Sequence, residues 1–271
     1  MIDLLQSQLE KVNKAFSRQS IIYYSYEKEN PTLIWMRQHV RKLAMQFLRP
    51  NDKILELNSG TGIDAEFFAK QGFSVHCTDL SDGMIEQMHK KFSNNPFAEK
   101  ITIQQCSFTE LKKIGDKKFD FIFSNFGGLN CVPDLRDVTR HFQSLLNENG
   151  RVCLVILPPV CPWEIIQILR GKFSFAFRRF KKNGTEANLE GVKFKTYYFS
   201  KRNVTTAIGD NFKIIKTSGL AVFSPAPQME RFSKKFPTMT KFLNKLDEKV
   251  SGIFPFNKIG DHIIIVAELK S

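Results

Sequence analysis

Two carboxylates and a run of small residues carry the most visible chemistry in this chain: Glu56-Leu-Asn58-Ser-Gly60-Thr-Gly62, followed by Asp79. Glycine lets the backbone turn sharply and lets a ligand approach the main chain. A helix that starts just after it presents unpaired N–H groups. The pattern therefore predicts a ligand at the carboxyl end of a strand. Gly60-Thr-Gly62-Ile-Asp64-Ala65 also satisfies the dinucleotide fingerprint G-x-G-x-x-A, with Asp79 about 20 residues on as that fingerprint asks. Taken alone, the loop leaves nicotinamide dinucleotide and S-adenosylmethionine (SAM) both open.

Three features favour SAM. Glu56 stands where a pyrophosphate loop shows small apolar residues, and a carboxylate there suits a zwitterionic ligand. Thr78-Asp79-Leu80-Ser81-Asp82-Gly83-Met84 places an acid where it can accept from both ribose hydroxyls, with Met84 one turn later to pack on adenine. Third, Phe119-Asp120-Phe-Ile-Phe-Ser124-Asn125-Phe126-Gly reads as a buried strand emerging into a loop, followed by Leu145-Leu-Asn-Glu-Asn149-Gly150 and another apolar run.

The elements that must position these residues follow from periodicity. Residues 3 to 26 and 31 to 49 carry apolar residues at helical spacing, with Asn30-Pro31 as a start signal. The spacing then predicts strand 53 to 57, helix 62 to 71, strand 73 to 78, helix 81 to 92, strand 101 to 105, strand 119 to 124, helix 134 to 147 and strand 151 to 157. Strands alternating with helices imply right-handed crossovers and a mostly parallel sheet covered on both faces. After Pro158-Pro159 come a helix at 162 to 170, a basic Phe-rich stretch, a strand at 192 to 199, a helix at 201 to 208, a strand at 211 to 223, an irregular or helical insertion at 225 to 258 and a last strand at 262 to 268. Alternation at Phe173, Phe175 and Phe177 is strand-like.

Over residues 50 to 160 the chain resembles the class I SAM-dependent methyltransferases. Their first loop reads E-x-G-x-G-x-G, their second strand ends in an acid often followed by x-S-x-x-M, and an L-x-x-G-G turn precedes the fifth strand. Asn58 replaces the first loop glycine here, and Asn149-Gly150 replaces the glycine pair. The resemblance implies an α/β, Rossmann-like, seven-stranded mixed sheet of order 3-2-1-4-5-7-6, its last strand antiparallel, with helices on both faces. It implies an N-terminal helical lid over residues 1–50 and a SAM-binding core over 51–271, with insertions at about 160–200 and 225–258. SAM is the implied cofactor and S-adenosylhomocysteine the product. Glu56, Asn58, Gly60 and Gly62 would surround the methionine end, Asp79 and Leu80 the ribose, and Met84 the adenine. Cys106, Ser107 and Phe108 would lie beside the adenine amino group, and Ser124, Asn125 and Phe126 beside the methyl group. Phe16, Tyr23, Tyr24 and Tyr26 would belong to the lid.

Plainer roles compete. Leu80 and Phe108 serve equally well as core, Cys106 as a small buried residue, and Asp64 as a first-turn acid facing the helix dipole. Ser81 is the better N-cap and leaves Asp79 free. His76, mid-strand, reads as a satisfied core histidine, and His141 as a surface residue.

Methyl transfer from a sulfonium is an in-line displacement, so the expected contribution of the protein is alignment. The loop 124–132 contains no His, Lys, Glu or Asp, and no catalytic residue is assigned. It also lacks the [DN]-P-P-[FYW] sequence common in enzymes that methylate amide or adenine nitrogens. Tyr23, Tyr26, Phe126 and Asn130 are the substrate-side candidates.

Of the 40 Lys and Arg residues, 20 precede residue 161, against 18 Asp and Glu there; the other 20 face only 9 acids, so the net charge of +13 divides as +2 and +11. Half of the 26 phenylalanines share that basic part. Such a surface suits a lipophilic or aromatic acceptor, an anionic one, or a membrane interface. Without an RNA-binding motif, a nucleic-acid partner ranks below a small-molecule O or N acceptor; an RNA methyltransferase, an inactive SAM-fold binding protein and an NAD-dependent enzyme remain the alternatives. Peripheral membrane contact stays open, and no obligate protein partner is indicated. No apolar stretch reaches 18 residues and no secretory signal is legible, so the expected location is cytoplasmic. Five scattered cysteines without C-x-x-C spacing predict reduced, mostly buried thiols and no metal site.

Overall fold

The computed structural model describes residues 2–270; the side chains of residues 2, 3, 24, 25, 27 and 28 lie outside the described part, and with them the expected lid contact of Tyr24. Two helices come first, α1 (Ile2–Glu29) and α2 (Pro31–Met45). Asn30 separates them as the N-cap of α2, its side chain accepting from the N–H groups of Thr32 (3.1 Å) and Leu33 (3.3 Å).

The alternating part follows: β1 (Lys53–Leu57), α3 (Ile63–Lys70), β2 (Ser74–Asp79), α4 (Asp82–Phe92), β3 (Ile101–Gln105) and β4 (Phe119–Ser124). After it come α5 (Arg136–Thr139), α6 (Phe142–Leu145), β5 (Leu146–Ile156), α7 (Pro162–Ile165), α8 (Phe173–Ala176), β6 (Thr185–Leu189), β7 (Val192–Thr196), α9 (Lys201–Ile208), β8 (Phe212–Leu220), α10 (Glu230–Lys235), α11 (Pro237–Val250) and β9 (His262–Leu269).

Seven strands form one sheet in the order β3-β2-β1-β4-β5-β9-β8, while β6 and β7 pair as a separate hairpin. The first five are parallel neighbours, and β9 runs antiparallel to both β5 and β8. This is the expected order, with the last strand between the fifth and the sixth. Residues 54–57 of β1 are all buried because both faces are covered. Leu55, Leu57, Ile122, Leu154 and Ile265 feed one apolar layer, and Ile54, Phe121, Phe123, Val155 and Ile264 the other.

α1 is fixed to the sheet's carboxyl edge by specific contacts. Gly83 donates its N–H to Ser17 Oγ (3.0 Å), and a Cβ on Gly83 would stand 2.6 Å from the Ser17 carbonyl oxygen. Asn13 Oδ1 accepts from the Asp82 N–H (3.1 Å). Further along, Gln8 Nε2 donates to the Lys195 carbonyl on β7 (2.6 Å).

Several expectations need correction. The predicted helix 134–147 is two single turns, and Leu146 already pairs with Phe119. Phe173 to Ala176 is a helical turn and not a strand: the Ala176 N–H bonds to the Lys172 carbonyl (3.0 Å), and no strand lies beside it among the described residues. β7 ends at Thr196, because the Tyr197 and Phe199 N–H groups turn to the carbonyls of Asn130 (2.8 Å) and Leu157 (3.1 Å). No helix among the described residues is long and apolar enough to cross a membrane.

Candidate functional site

The carboxyl ends of β1, β2 and β4, with α1 across them, enclose a cleft of about 810 Å³ of empty space, its solvent mouth included. Glu56, Asn58, Gly60, Asp79, Leu80, Met84, Phe108, Asn125, Phe126 and Tyr23 all line it, from five separate segments of the chain.

Asp79 closes β2. Its Oδ2 accepts from the Gly60 N–H (2.8 Å) and its Oδ1 from the Ser81 N–H (2.8 Å). Ser81 caps α4, accepting from the Met84 N–H (3.3 Å), as expected. Asp79 is not left free, however: it ties the β1 loop to the start of α4. Burial pushes its pKa up to about 6, against the backbone N–H groups of Ser81, Gly60 and Leu80. Beside it, Leu80, Met84, Phe108, Val12 and Phe16 form an apolar wall.

Asn58 explains its own departure from glycine. Its φ of +46° lies in the left-handed region, which Asn tolerates better than most residues. The carboxamide accepts from Ser124 Oγ (2.6 Å) and donates to the Asn125 carbonyl (3.0 Å), lacing the β1 loop to the end of β4. Gly128 is required opposite, since a Cβ there would stand 2.5 Å from Asn58 Cγ. Asn149 likewise takes a left-handed φ of +56° in the turn within β5.

The floor holds more charge than the motifs indicated. Glu56 is buried, and its pKa is raised by burial first and then by Asp64, against Arg37, Arg41 and Lys91. Asp64 is the expected first-turn acid of α3, but it also lines the cleft: it pairs with Arg37, accepts from Arg41 Nε (2.6 Å) and accepts from Asn125 Nδ2 (2.9 Å). Burial raises its pKa, but the two guanidinium groups and Asn125 outweigh that and hold it below the usual carboxylate range. The Arg37 guanidinium stacks over Phe126 at 4.5 Å from the ring centre. Phe126 itself takes a φ of +49°, strained backbone for an aromatic residue, and its amide N–H bonds to Asn125 Oδ1 (2.8 Å).

Several expected residues do not reach the cleft. Gly62 serves packing: a Cβ would meet Phe92 at 2.6 Å and Met88 at 3.0 Å. Ser124 acts through Asn58. Ser107 Oγ bonds with Thr109 Oγ1 (2.8 Å), and Cys106 Sγ points to the carbonyls of Ser107 and Glu110. Asn130, expected on the acceptor side, is fully buried as a strut: Nδ2 donates to the carbonyls of Leu157 (3.1 Å) and Tyr197 (2.6 Å), while Oδ1 accepts from the Leu157 N–H (3.0 Å). Tyr26 lies outside the lining and is 40% exposed; Asn30 Nδ2 donates to its hydroxyl (3.5 Å). The Tyr23 ring, in contrast, lies in the cleft against Gly60.

His76 is the satisfied core histidine its position suggests, bonded to Thr102 and Gln104. His141 is buried and not at the surface; Arg140 Nε donates to its Nε2 (3.2 Å). All five cysteines are buried and unpaired. Cys131 lines the cleft, but burial pushes its thiol up to about 12, which suits no nucleophile. Cys161, Glu164 and Asp261 each present a ligand atom within 4.8 Å of the others, and the Arg179 guanidinium donates to both carboxylates, supplying the cation of that cluster.

Arg37, Asp64 and Ser59 are polar cleft residues to which the sequence assigned no part in the site. Arg37 carried a usable signal, as a cation on the apolar side of an amphipathic helix at the spacing of Leu33, Met36 and Val40.

Comparison with known proteins agrees with this geometry. Residues 54–150 match the family model described as a methyltransferase domain. A demethylmenaquinone methyltransferase of Symbiobacterium thermophilum is 28% identical over 130 residues, which are 46% of this chain and 51% of that protein. A tRNA1(Val) (adenine(37)-N6)-methyltransferase of Parabacteroides distasonis is 28% identical over 98 residues, 34% of this chain and 41% of the relative. The chain thus spans about half or less of the length of these curated relatives. Among solved structures, the 1,6-didemethyltoxoflavin-N1-methyltransferase of Burkholderia thailandensis, holding its substrate and S-adenosylhomocysteine, superposes with a TM-score of 0.58 at 14% identity, covering 97% of this chain and 88% of that one.

Proposed function

We propose that this chain, which over residues 54–150 matches the methyltransferase-domain model and has a class I, Rossmann-like fold, is a SAM-dependent methyltransferase that acts on a small-molecule oxygen or nitrogen. The observation that carries the reading is one covered cleft with Asp79 beside an apolar wall at one end and Glu56, Arg37 and Asn58 at the other.

That set fits the cofactor group by group. A carboxylate offers about four lone-pair sites, and backbone N–H groups occupy one on each Asp79 oxygen, so both oxygens retain capacity for ribose hydroxyls. Leu80, Met84 and Phe108 offer the adenine an apolar slot. Glu56 and Arg37 offer opposite charges to the ammonium and carboxylate of the methionine end. Bound there, SAM supplies an electrophilic methyl group on a positively charged sulfur.

The chain's own part is placement. Asn125, Phe126, Gly127 and Gly128 form the wall that an acceptor would face, and Asn58, Ser124 and Asp64 hold that wall in position through hydrogen bonds. Tyr23 and Phe16 cover the cleft from α1 and exclude water. No side chain of the 124–132 loop can take a proton near neutral pH, so the residues work by aligning an acceptor that arrives ready to react.

Isothermal titration of the whole chain with SAM and with NAD tests the reading. Micromolar SAM binding without NAD binding supports it; no SAM binding at high micromolar concentration, or preference for NAD, overturns it. Radiolabelled methyl transfer to a metabolite extract but not to total RNA is the outcome expected for a small-molecule acceptor, and labelling confined to RNA would reverse that part.

A further inference from the structure

Residues 165–185 contain six Lys or Arg and no Asp or Glu; residues 231–246 contain five and again none. In a chain whose first 160 residues are nearly balanced, two acid-free stretches call for an explanation, and the fold places them together. Trp163 packs on Phe232 at 6.2 Å between ring centres, and Phe232 on Phe236 at 5.1 Å. Trp163, Phe173, Phe175, Gln228 and Met229 line one open groove between them.

The side chains this face turns outward are apolar as well as basic. Leu169 is 83% exposed, Phe173 58%, Phe177 50% and Phe180 51%; beyond Phe236, Met239 is 52% and Phe242 63% exposed. Exposed clusters of this kind are uncommon on a monomer unless something covers them. Cations sit among them: Arg170, Lys172, Lys181, Lys182, Lys235, Lys241 and Lys245 are exposed, the Arg178 guanidinium lies 4.3 Å from the Phe175 ring centre, and Lys235 Nζ lies 5.4 Å from that of Phe236.

The presentation is rigid. Glu164 is buried and accepts from Arg178 Nε (2.7 Å) and Arg179 Nε (2.9 Å), while Arg179 donates on to the Asp261 carboxylate (2.9 Å) and the Pro158 carbonyl (3.2 Å). Buried ion clusters stabilise little over well-packed apolar residues and are best attested where they fix one arrangement. Here the arrangement fixed is a short helical turn with Ala176 inward and the phenylalanines outward.

We propose that this face, built by residues 163–182 and 228–245, docks on the surface of an anionic lipid bilayer. A plane of phosphate headgroups over hydrocarbon answers both components at once, the cations remaining at headgroup level while Phe and Leu side chains enter below. A phosphodiester strand would pair the cations but leave Leu169 and Met239 uncovered. The face adjoins the α1–α2 corner, where Asn30 Nδ2 donates to the Pro227 carbonyl (3.0 Å), so docking would set the covered side of the cleft near the lipid. The proposal goes beyond the methyl-transfer reading and does not require it, because vesicle binding and SAM binding are measured separately.

Co-sedimentation of the full chain with vesicles of phosphatidylcholine alone and of phosphatidylcholine containing about a third phosphatidylglycerol tests the proposal. Binding to the anionic vesicles is expected to be roughly tenfold or more tighter than to the neutral ones and to weaken at high salt. Both Phe173→Ser/Phe177→Ser and Lys172→Glu/Lys181→Glu/Lys182→Glu should weaken it by a similar factor while SAM titration stays unchanged. These substitutions replace exposed residues only, and an unchanged thermal unfolding transition confirms that each variant is folded. Absence of binding, equal binding to both vesicles, or an effect of the charge variant alone together with binding to poly(U) would overturn the proposal, the last in favour of a nucleic-acid surface.

Discussion

The cofactor edge and the insertions after residue 160 use charge in opposite ways. In the cleft, two of the three acids are answered by partners built into the fold: Asp64 by Arg37 and Arg41, and Asp79 by the backbone N–H groups of Gly60 and Ser81. On the 163–182 and 228–245 face cations far outnumber acids; Glu230 pairs with Lys234, and Glu164 engages Arg178 and Arg179, which are spent on holding the segment in place. On the proposed readings, charges in the first region are fitted to one small zwitterionic ligand. Those in the second present a field to something extended.

The sharpest way to break the comparison is Arg179→Met. It leaves Glu164 and Asp261 as buried carboxylates without their shared cation, and losing one partner of such a cluster costs about 3–5 kcal/mol. Urea denaturation should show that loss, with SAM affinity of the remaining folded protein unchanged. A loss below about 1 kcal/mol would mean that the Phe-rich turn is held by something else.

Gly62→Ala probes the other region. A positive φ of +71° and a Cβ 2.6 Å from Phe92 together predict a cost of about 2–4 kcal/mol in thermal denaturation. Gly60→Ala meets only Tyr23, at 3.6 Å, so its stability cost should be about 1 kcal/mol and its damage should appear in SAM affinity instead. Equal stability losses for the two would remove the distinction between a packing glycine and a cleft glycine.

Asp79→Asn keeps the shape and removes the charge. Hydrogen bonds to a charged group contribute about 1.5–3 kcal/mol, so SAM should bind roughly tenfold to a hundredfold more weakly by titration. An unchanged affinity would remove Asp79 from the ribose role and leave it only the tie between the β1 loop and α4.

Legibility in the sequence divides along the same line. From β1 to β4 the strands are short, with β1, β2 and β4 buried along most of their length, and amphipathic helices separate the first three, so periodicity places them to within about a residue. The cleft's motif residues were legible for the same reason, since strand ends and helix starts need particular residue types. Gly62, Ser124 and Asn130 belong to motifs that locate the site, but the side-chain network that turns them away from it depends on Phe92, Asn58 and Tyr197, distant in sequence. Phe173, Phe175 and Phe177 misled because alternation signals a strand only where one face is buried, and here Ala176 is the buried position while Arg179 anchors the turn from within.

The mildest expected effect is one of pH. With burial holding Asp79 near 6, against an unfolded value of about 3.9, the ligand-free native state keeps a proton that the unfolded chain has already lost between about pH 4 and pH 6. That contribution to stability is therefore present at low pH and is lost as pH rises through this window, and the raised Glu56 acts in the same direction. Ribose hydroxyls donate to the ionised carboxylate, so SAM should select the deprotonated form. Its affinity should then fall roughly tenfold between pH 7 and pH 5, a change worth about 1.4 kcal/mol. Titrations across that range check the slope, and Asp79→Asn should flatten it. Vesicle docking rests on Lys and Arg and on exposed apolar side chains, and should be level over the same range. A pH dependence shared by both activities would collapse the two regions into one titrating system, and its confinement to the cleft would keep them apart.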